Sequence, residues 1–113
     1  MPRTASPAHS ELVTVDGQII GVDRTPTEDK LSYGVRITVR AEDSKNVSIE
    51  LAPGWWLDEQ GLRFVPMDRI EVIGARSPEA RQRVVAWEVH APDRSLRLRD
   101  TNGQPLWPAR PAP

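Results

Sequence analysis

Few residues in this 113-residue chain have the type and spacing that chemistry requires. There are two histidines, His9 near the start and His90 late in the chain, with Asp93 three positions beyond the second. A lone imidazole needs a positioned partner to serve as a general base or a metal ligand. The sequence has no His-Glu-x-x-His run, Gly-x-Ser-x-Gly elbow or phosphate-cradling glycine loop. Asp58 and Glu59 are adjacent in a polar stretch, where solvation is the expected state of both carboxylates. Cysteine is absent, which removes disulfides, thiolate metal sites and a cysteine nucleophile. The expectation is a protein that is not an enzyme and has no cofactor and no metal.

Binding chemistry has more to work with. Trp55 and Trp56 are consecutive, Trp107 lies near the end, and Tyr33 precedes a strongly alternating segment. In an extended stretch, neighbouring rings point to opposite sides, so one of the tandem pair can plug a core while the other stays near the surface. An exposed ring of this kind is a natural anchor for a protein or small ligand. Trp55, Trp56, Trp107 and Tyr33 are therefore the candidate binding residues. Arg36, Arg40, Arg97 and Arg99 supply the alternative, a face for single-stranded nucleic acid, which needs a basic groove with stacking rings. Glu50 is expected beside Arg36 and Arg40, where it offsets their charge. The 15 basic and 16 acidic side chains leave a net charge of -1, which excludes a generally basic nucleic-acid binder and an acidic disordered chain. No window approaches the roughly 20 apolar residues of a membrane-spanning helix.

These residues must be held by strands, because alternation recurs along the chain and the helical period does not. Leu12 to Asp23 reads as a first strand whose apolar phase changes near Gly17 and Gly21, the mark of a bulge or sharp bend. Arg24 to Ser32 reads as a loop. Gly34 to Glu42 and Asn46 to Ala52 form a hairpin across Asp43, Ser44 and Lys45. Its expected register sets Ala41 opposite Val47, Val39 opposite Ile49, Ile37 opposite Leu51 and Thr38 opposite Glu50. Pro53-Gly54 ends the third strand, and a short helical turn or structured loop follows, stopped at Gly61. A fourth strand runs from Arg69 to Arg76 with Ile70 and Val72 inward. Ser77 to Gln82 is a polar loop. A fifth strand, Arg83 to Ala91, has Val85, Trp87, Val89 and Ala91 on one face; Pro92-Asp93 breaks it, and Ser95 to Arg99 resumes it. Trp107 can fold back onto this body. Three strands, a short connector and two more strands give the order of a five-stranded Greek-key OB-like barrel, an all-β fold.

The run Leu51-Ala-Pro-Gly-Trp-Trp-Leu57, with Phe64 to Asp68 and Arg69-Ile-Glu-Val-Ile-Gly74, resembles a pattern in small bacterial OB-fold proteins of the cell envelope. There a Leu-Gly-Pro-Trp-aromatic-Leu turn precedes a Gly-Asp-x-Ile-x-Val-x-Gly strand. Leu96 to Asp100 and Gly103 to Trp107 extend the likeness. It is similar to the bacterial OB-fold stress-tolerance group and to some magnetosome-associated small proteins. Met67 stands where the pattern has Gly, as does Ala52.

The resemblance implies a small binding or assembly module of the bacterial envelope. Its partner would be an unidentified protein or small ligand, with nucleic acid as the alternative, and its state a monomer or weak homodimer. The expected organisation is a disordered segment 1–10, a barrel 11–103 and a Pro-rich tail 104–113. A periplasmic location is expected if the chain is a mature form, and a cytoplasmic one otherwise.

Overall fold

A long first strand sets the architecture. In the computed structural model, which describes residues 12–26, 33–77, 80, 82–92 and 94–108, β1 spans Leu12–Pro26. Its first half pairs with β4 (Arg69–Arg76) and its second half with β2 (Tyr33–Ala41), both antiparallel. The register shifts between Ile19 and Gly21, where the expected change of phase falls. Val15 and Ile19 are buried before the bulge, and Ile20 is turned outward. A bulge bends and twists its strand, so a single segment serves two walls.

The remaining walls are β3 (Asn46–Pro53), antiparallel to β2, and β5 (Arg83–Ala91), antiparallel to β4. A short parallel pairing of β3 with β5, from Ser48↔Arg83 to Glu50↔Val85, closes five strands into the expected barrel. Ile37, Val39, Ile49, Leu51, Val72, Val84 and Val89 fill the interior with almost no exposure. Each such aliphatic burial is worth about 1.5–3 kcal/mol.

Helix α1 (Gly54–Gln60) is the connector between β3 and β4 and places Trp56 and Leu57 in the core. Gly61 ends it in the left-handed region at φ 73°, its amide reaching Asp58 O at 3.0 Å while Leu62 N–H reaches Leu57 O at 3.1 Å. That is a Schellman ending, which favours glycine at this position.

Four expectations change. The β2–β3 hairpin pairs Val39 with Val47, Ile37 with Ile49 and Arg36 with Glu50, two residues away from the expected register. Ser44 takes φ 70° and its amide donates to Ala41 O, while Ala41 N–H donates to Lys45 O, so the connection runs from Glu42 to Lys45 rather than from Asp43 to Lys45. A shift of two keeps the same side chains inward, which is why the core set is unaffected. Arg24, Thr25 and Pro26 belong to β1 rather than to a loop. In β5 the buried residues are Val84, Ala86, Trp87 and Val89. The register shift there, Ile73↔Glu88 followed by Gly74↔Ala86, leaves Trp87 as the extra residue and reverses the face of the strand's first half. Finally, the chain reverses after Ala91 into β6 (Arg94–Arg97), a hairpin partner of β5 instead of its continuation.

Residues 1–11 (with His9), 27–32, 78, 79, 81, Asp93 and 109–113 lie outside the described residues, and with them all or part of the expected N-terminal segment, polar loops and Pro-rich end.

Candidate functional site

The bulge at Trp87 builds the most organised surface feature. Its carbonyl accepts from the amides of both Leu98 (2.7 Å) and Arg99 (3.2 Å). Leu98 is thereby driven fully into the core. Beyond it, Arg99 pairs with Pro105 in a bridge, Asp100 N–H reaches Gln104 O, and Leu106 N–H reaches Leu98 O. Asp100 Oδ1 also accepts from the amides of Asn102 and Gln104, which stiffens the turn. These bonds fold the segment back and seat Trp107 against Trp56, with ring centroids 5.4 Å apart.

The returning segment walls a groove of about 270 Å³ against the β1 end, the β2 start and the β3 end. Arg36, Glu50, Leu51, Pro53, Arg99 and Trp107 line it. Arg36 Nη2 is 3.8 Å from Glu50 Oε2, a direct cross-strand pair in the ladder. Arg99 Nη1 donates to Gly103 O at 2.9 Å, and its guanidinium lies 5.1 Å from the Trp107 ring centre, within cation–π range. Burial lowers the Arg99 pKa from its ordinary value, and the nearby Glu50 carboxylate acts in the opposite direction as the smaller influence. The guanidinium stays charged, because no ordinary pH deprotonates it. The Nε atoms of Arg36 and Arg99 are enclosed and have no hydrogen-bond partner among the described residues.

The expected binding residues fall into different places. Trp56 is 7% exposed and belongs to the core, while Trp55 is half-buried against it. Of the three candidate tryptophans, Trp107 alone lines the groove. Tyr33 packs over Gly54, where a Cβ would collide with its ring, and carries the Arg24 guanidinium 5.0 Å from its centre. Of the four arginines, Arg36 and Arg99 meet in the groove. Arg97 instead pairs with Glu88 at 3.3 Å, and Arg40 is exposed at the other end of β2, opposite Asn46.

His90 has unexpected partners. Its Nδ1 is 2.7 Å from Ser95 Oγ and its Nε2 is 3.0 Å from Glu88 Oε1. The order hydroxyl, imidazole, carboxylate is that of serine hydrolases, but the ring nitrogens are exchanged, since there Nε2 faces the hydroxyl and Nδ1 the carboxylate, and none of the three lines the groove. Glu88 sits two residues before His90, and Ser95 is its cross-strand partner in β6. A hairpin at Pro92 is the signal that would have brought Ser95 to it from the sequence. Asp58 and Glu59 are exposed on α1. Among the described residues no group of three or more His, Asp or Glu is placed to hold a metal ion. Among the described residues no helix is long and apolar enough to cross a membrane.

Comparison with curated proteins finds no match to this chain. The model of the MamS/MamX magnetosome protein family matches residues 11–96, a stretch that carries Arg36 and Glu50 and stops short of Arg99 and Trp107. It covers the five barrel strands, the connecting helix and most of β6, and the magnetosome-associated part of the likeness read in residues 51–74 is thereby secured. The chain belongs to the MamS/MamX magnetosome protein family.

Proposed function

We propose that this protein is a non-enzymatic binding module for magnetosome assembly at the cell envelope, and that its partner seats in the groove beside Trp107. The observation that carries this reading is the groove's construction. A closed barrel holds Arg36 and Glu50 on rigid, paired strands, and a hydrogen-bonded return segment brings Arg99 and Trp107 to the same place. Sites on rigid elements keep their geometry, and tryptophan and arginine, here the half-buried Trp107 beside Arg36 and Arg99, are the residues enriched in interaction hot spots. The family match supports the association with magnetosomes.

Single-stranded nucleic acid has less support. Two of the four arginines, Arg40 and Arg97, lie outside the groove, and Arg97 has the Glu88 carboxylate at 3.3 Å. The ring in the groove, Trp107, is already engaged by Trp56 and Arg99.

The test is complementation. In a magnetosome-forming cell lacking this protein, the double variant Arg36→Gln/Arg99→Gln, verified to fold, is expected not to restore magnetosome formation. Wild-type restoration by that variant would remove the groove from the function. Fractionation of the same cells checks the envelope assignment.

A further inference from the structure

We propose that the groove is a carboxylate site, taking an acidic group carried on an apolar organic body; this rests on the groove being the binding surface. Charge comes first. Two guanidiniums, Arg36 and Arg99, line the groove against one carboxylate, Glu50. The Arg36–Glu50 separation of 3.8 Å is well beyond the roughly 2.7–2.9 Å of a charge-assisted hydrogen bond. Arg99 is held by a neutral carbonyl, that of Gly103, and by the face of Trp107. Neither contact neutralises it, and burial acts against its charge. With both Nε–H groups enclosed and without acceptors, the Nη edges are what each guanidinium can offer an incoming oxyanion.

The choice among oxyanions follows from the walls. Val35, Pro53 and Trp107, each partly exposed, present apolar surface next to the two cations, which favours a ligand that brings its own apolar body. Glu50 repels a second negative charge, so a planar monoanion suits the groove better than a phosphate dianion. A carboxylate also matches the planar fork of a guanidinium. The volume, about 270 Å³, lies near the lower end of small-molecule pockets and suits a ring-sized acid or one acidic side chain with an apolar neighbour.

The experiment is an NMR titration of the full chain with four probes: benzoate, its neutral counterpart benzamide, inorganic phosphate, and a blocked glutamyl-phenylalanine dipeptide. Benzoate is expected to shift the Trp107 indole and Arg99 side-chain signals saturably, while benzamide leaves them in place. Arg99→Gln and Arg36→Gln should each weaken benzoate binding by about tenfold or more, the scale of a lost hydrogen bond to a charged group. Glu50→Gln, which removes the competing carboxylate, should tighten it. This last variant keeps the test decisive if either arginine change unfolds the protein. A dipeptide response alongside benzoate supports a protein carboxylate as the natural ligand, and benzoate alone supports a free organic acid. Equal shifts from benzamide and benzoate, or tighter binding of phosphate, would overturn carboxylate recognition and leave the groove as a binding surface. Silence from every probe overturns the carboxylate site; the complementation result then decides separately whether the groove matters.

Discussion

At the scale of the residue, Met67 shows how a side chain can sit against local preference. It takes φ 84° and is 71% exposed. Its backbone is fixed by two contacts, its amide donating to Ile19 O and its carbonyl accepting from Gln18 Nε2, and the neighbouring Asp68 O accepts from Ile19 N–H. These bonds clamp the turn before β4 to the bulge in β1. A non-glycine residue in the left-handed region costs about 1–2 kcal/mol, and glycine brings back about 0.5–1 kcal/mol of unfolded-chain entropy. Met67→Gly is therefore expected to stabilise the protein by roughly 0.5–1 kcal/mol in denaturant unfolding. A loss of stability would mean that the Met67 side chain contributes packing that its exposure does not show. The pattern that this stretch resembles has glycine at the same position. The charged residues make a different point. Exposed pairs such as Arg69 with Asp16 and Glu42 are worth about 0–1 kcal/mol each, so they orient the surface more than they hold the fold.

At the scale of the element, β5 separates what alternation can and cannot reveal. Val89 follows the expected face, but the extra residue at Trp87 puts Val84 inward at 1% exposure and leaves Val85 half-buried. Val84→Asp is expected to unfold the barrel, because an unpaired carboxylate would enter the core. Val85→Asp should leave a cooperative transition at reduced stability. Chemical denaturation of the two variants checks this, and the reverse order would contradict the bulge.

Most of the strands were legible because one face of each is apolar. The β4 limits and Ile70 and Val72 follow directly from that period, and glycines flagged the bend in β1. The β2–β3 register was not legible, because it turns on Ser44 adopting a left-handed conformation that serine does not advertise. Nor was the β5–β6 hairpin. Its reversal after Ala91 is secured by long-range contacts, in which Arg94 donates to the carbonyls of Gln60 at 2.7 Å and Gly61 at 2.8 Å. Those bonds dock β6 on the end of α1, and no local pattern encodes them.

At the scale of the whole molecule, the site depends on closure. Arg36 and Arg99 are 63 positions apart in the chain, and they meet because β3 pairs with β5 while the segment after β6 hangs from the Trp87 carbonyl. Composition pointed to tryptophans and arginines as the binding groups, but which of them meet is a property of that topology. Trp56 and Trp107 meet at a tilted ring contact because the end of the chain folds back over α1, so ring contact and groove wall are two consequences of a single return.

The most direct measurement is site-specific photocrosslinking in magnetosome-forming cells. A crosslinker at Thr25, on the groove, is compared with one at Gln82, which lines a different surface depression. A discrete adduct from the Thr25 position, absent from Gln82 and lost when Arg99→Gln is added, is the predicted result. Equal labelling from both positions, or an adduct that Arg99→Gln leaves intact, would contradict recognition at the groove.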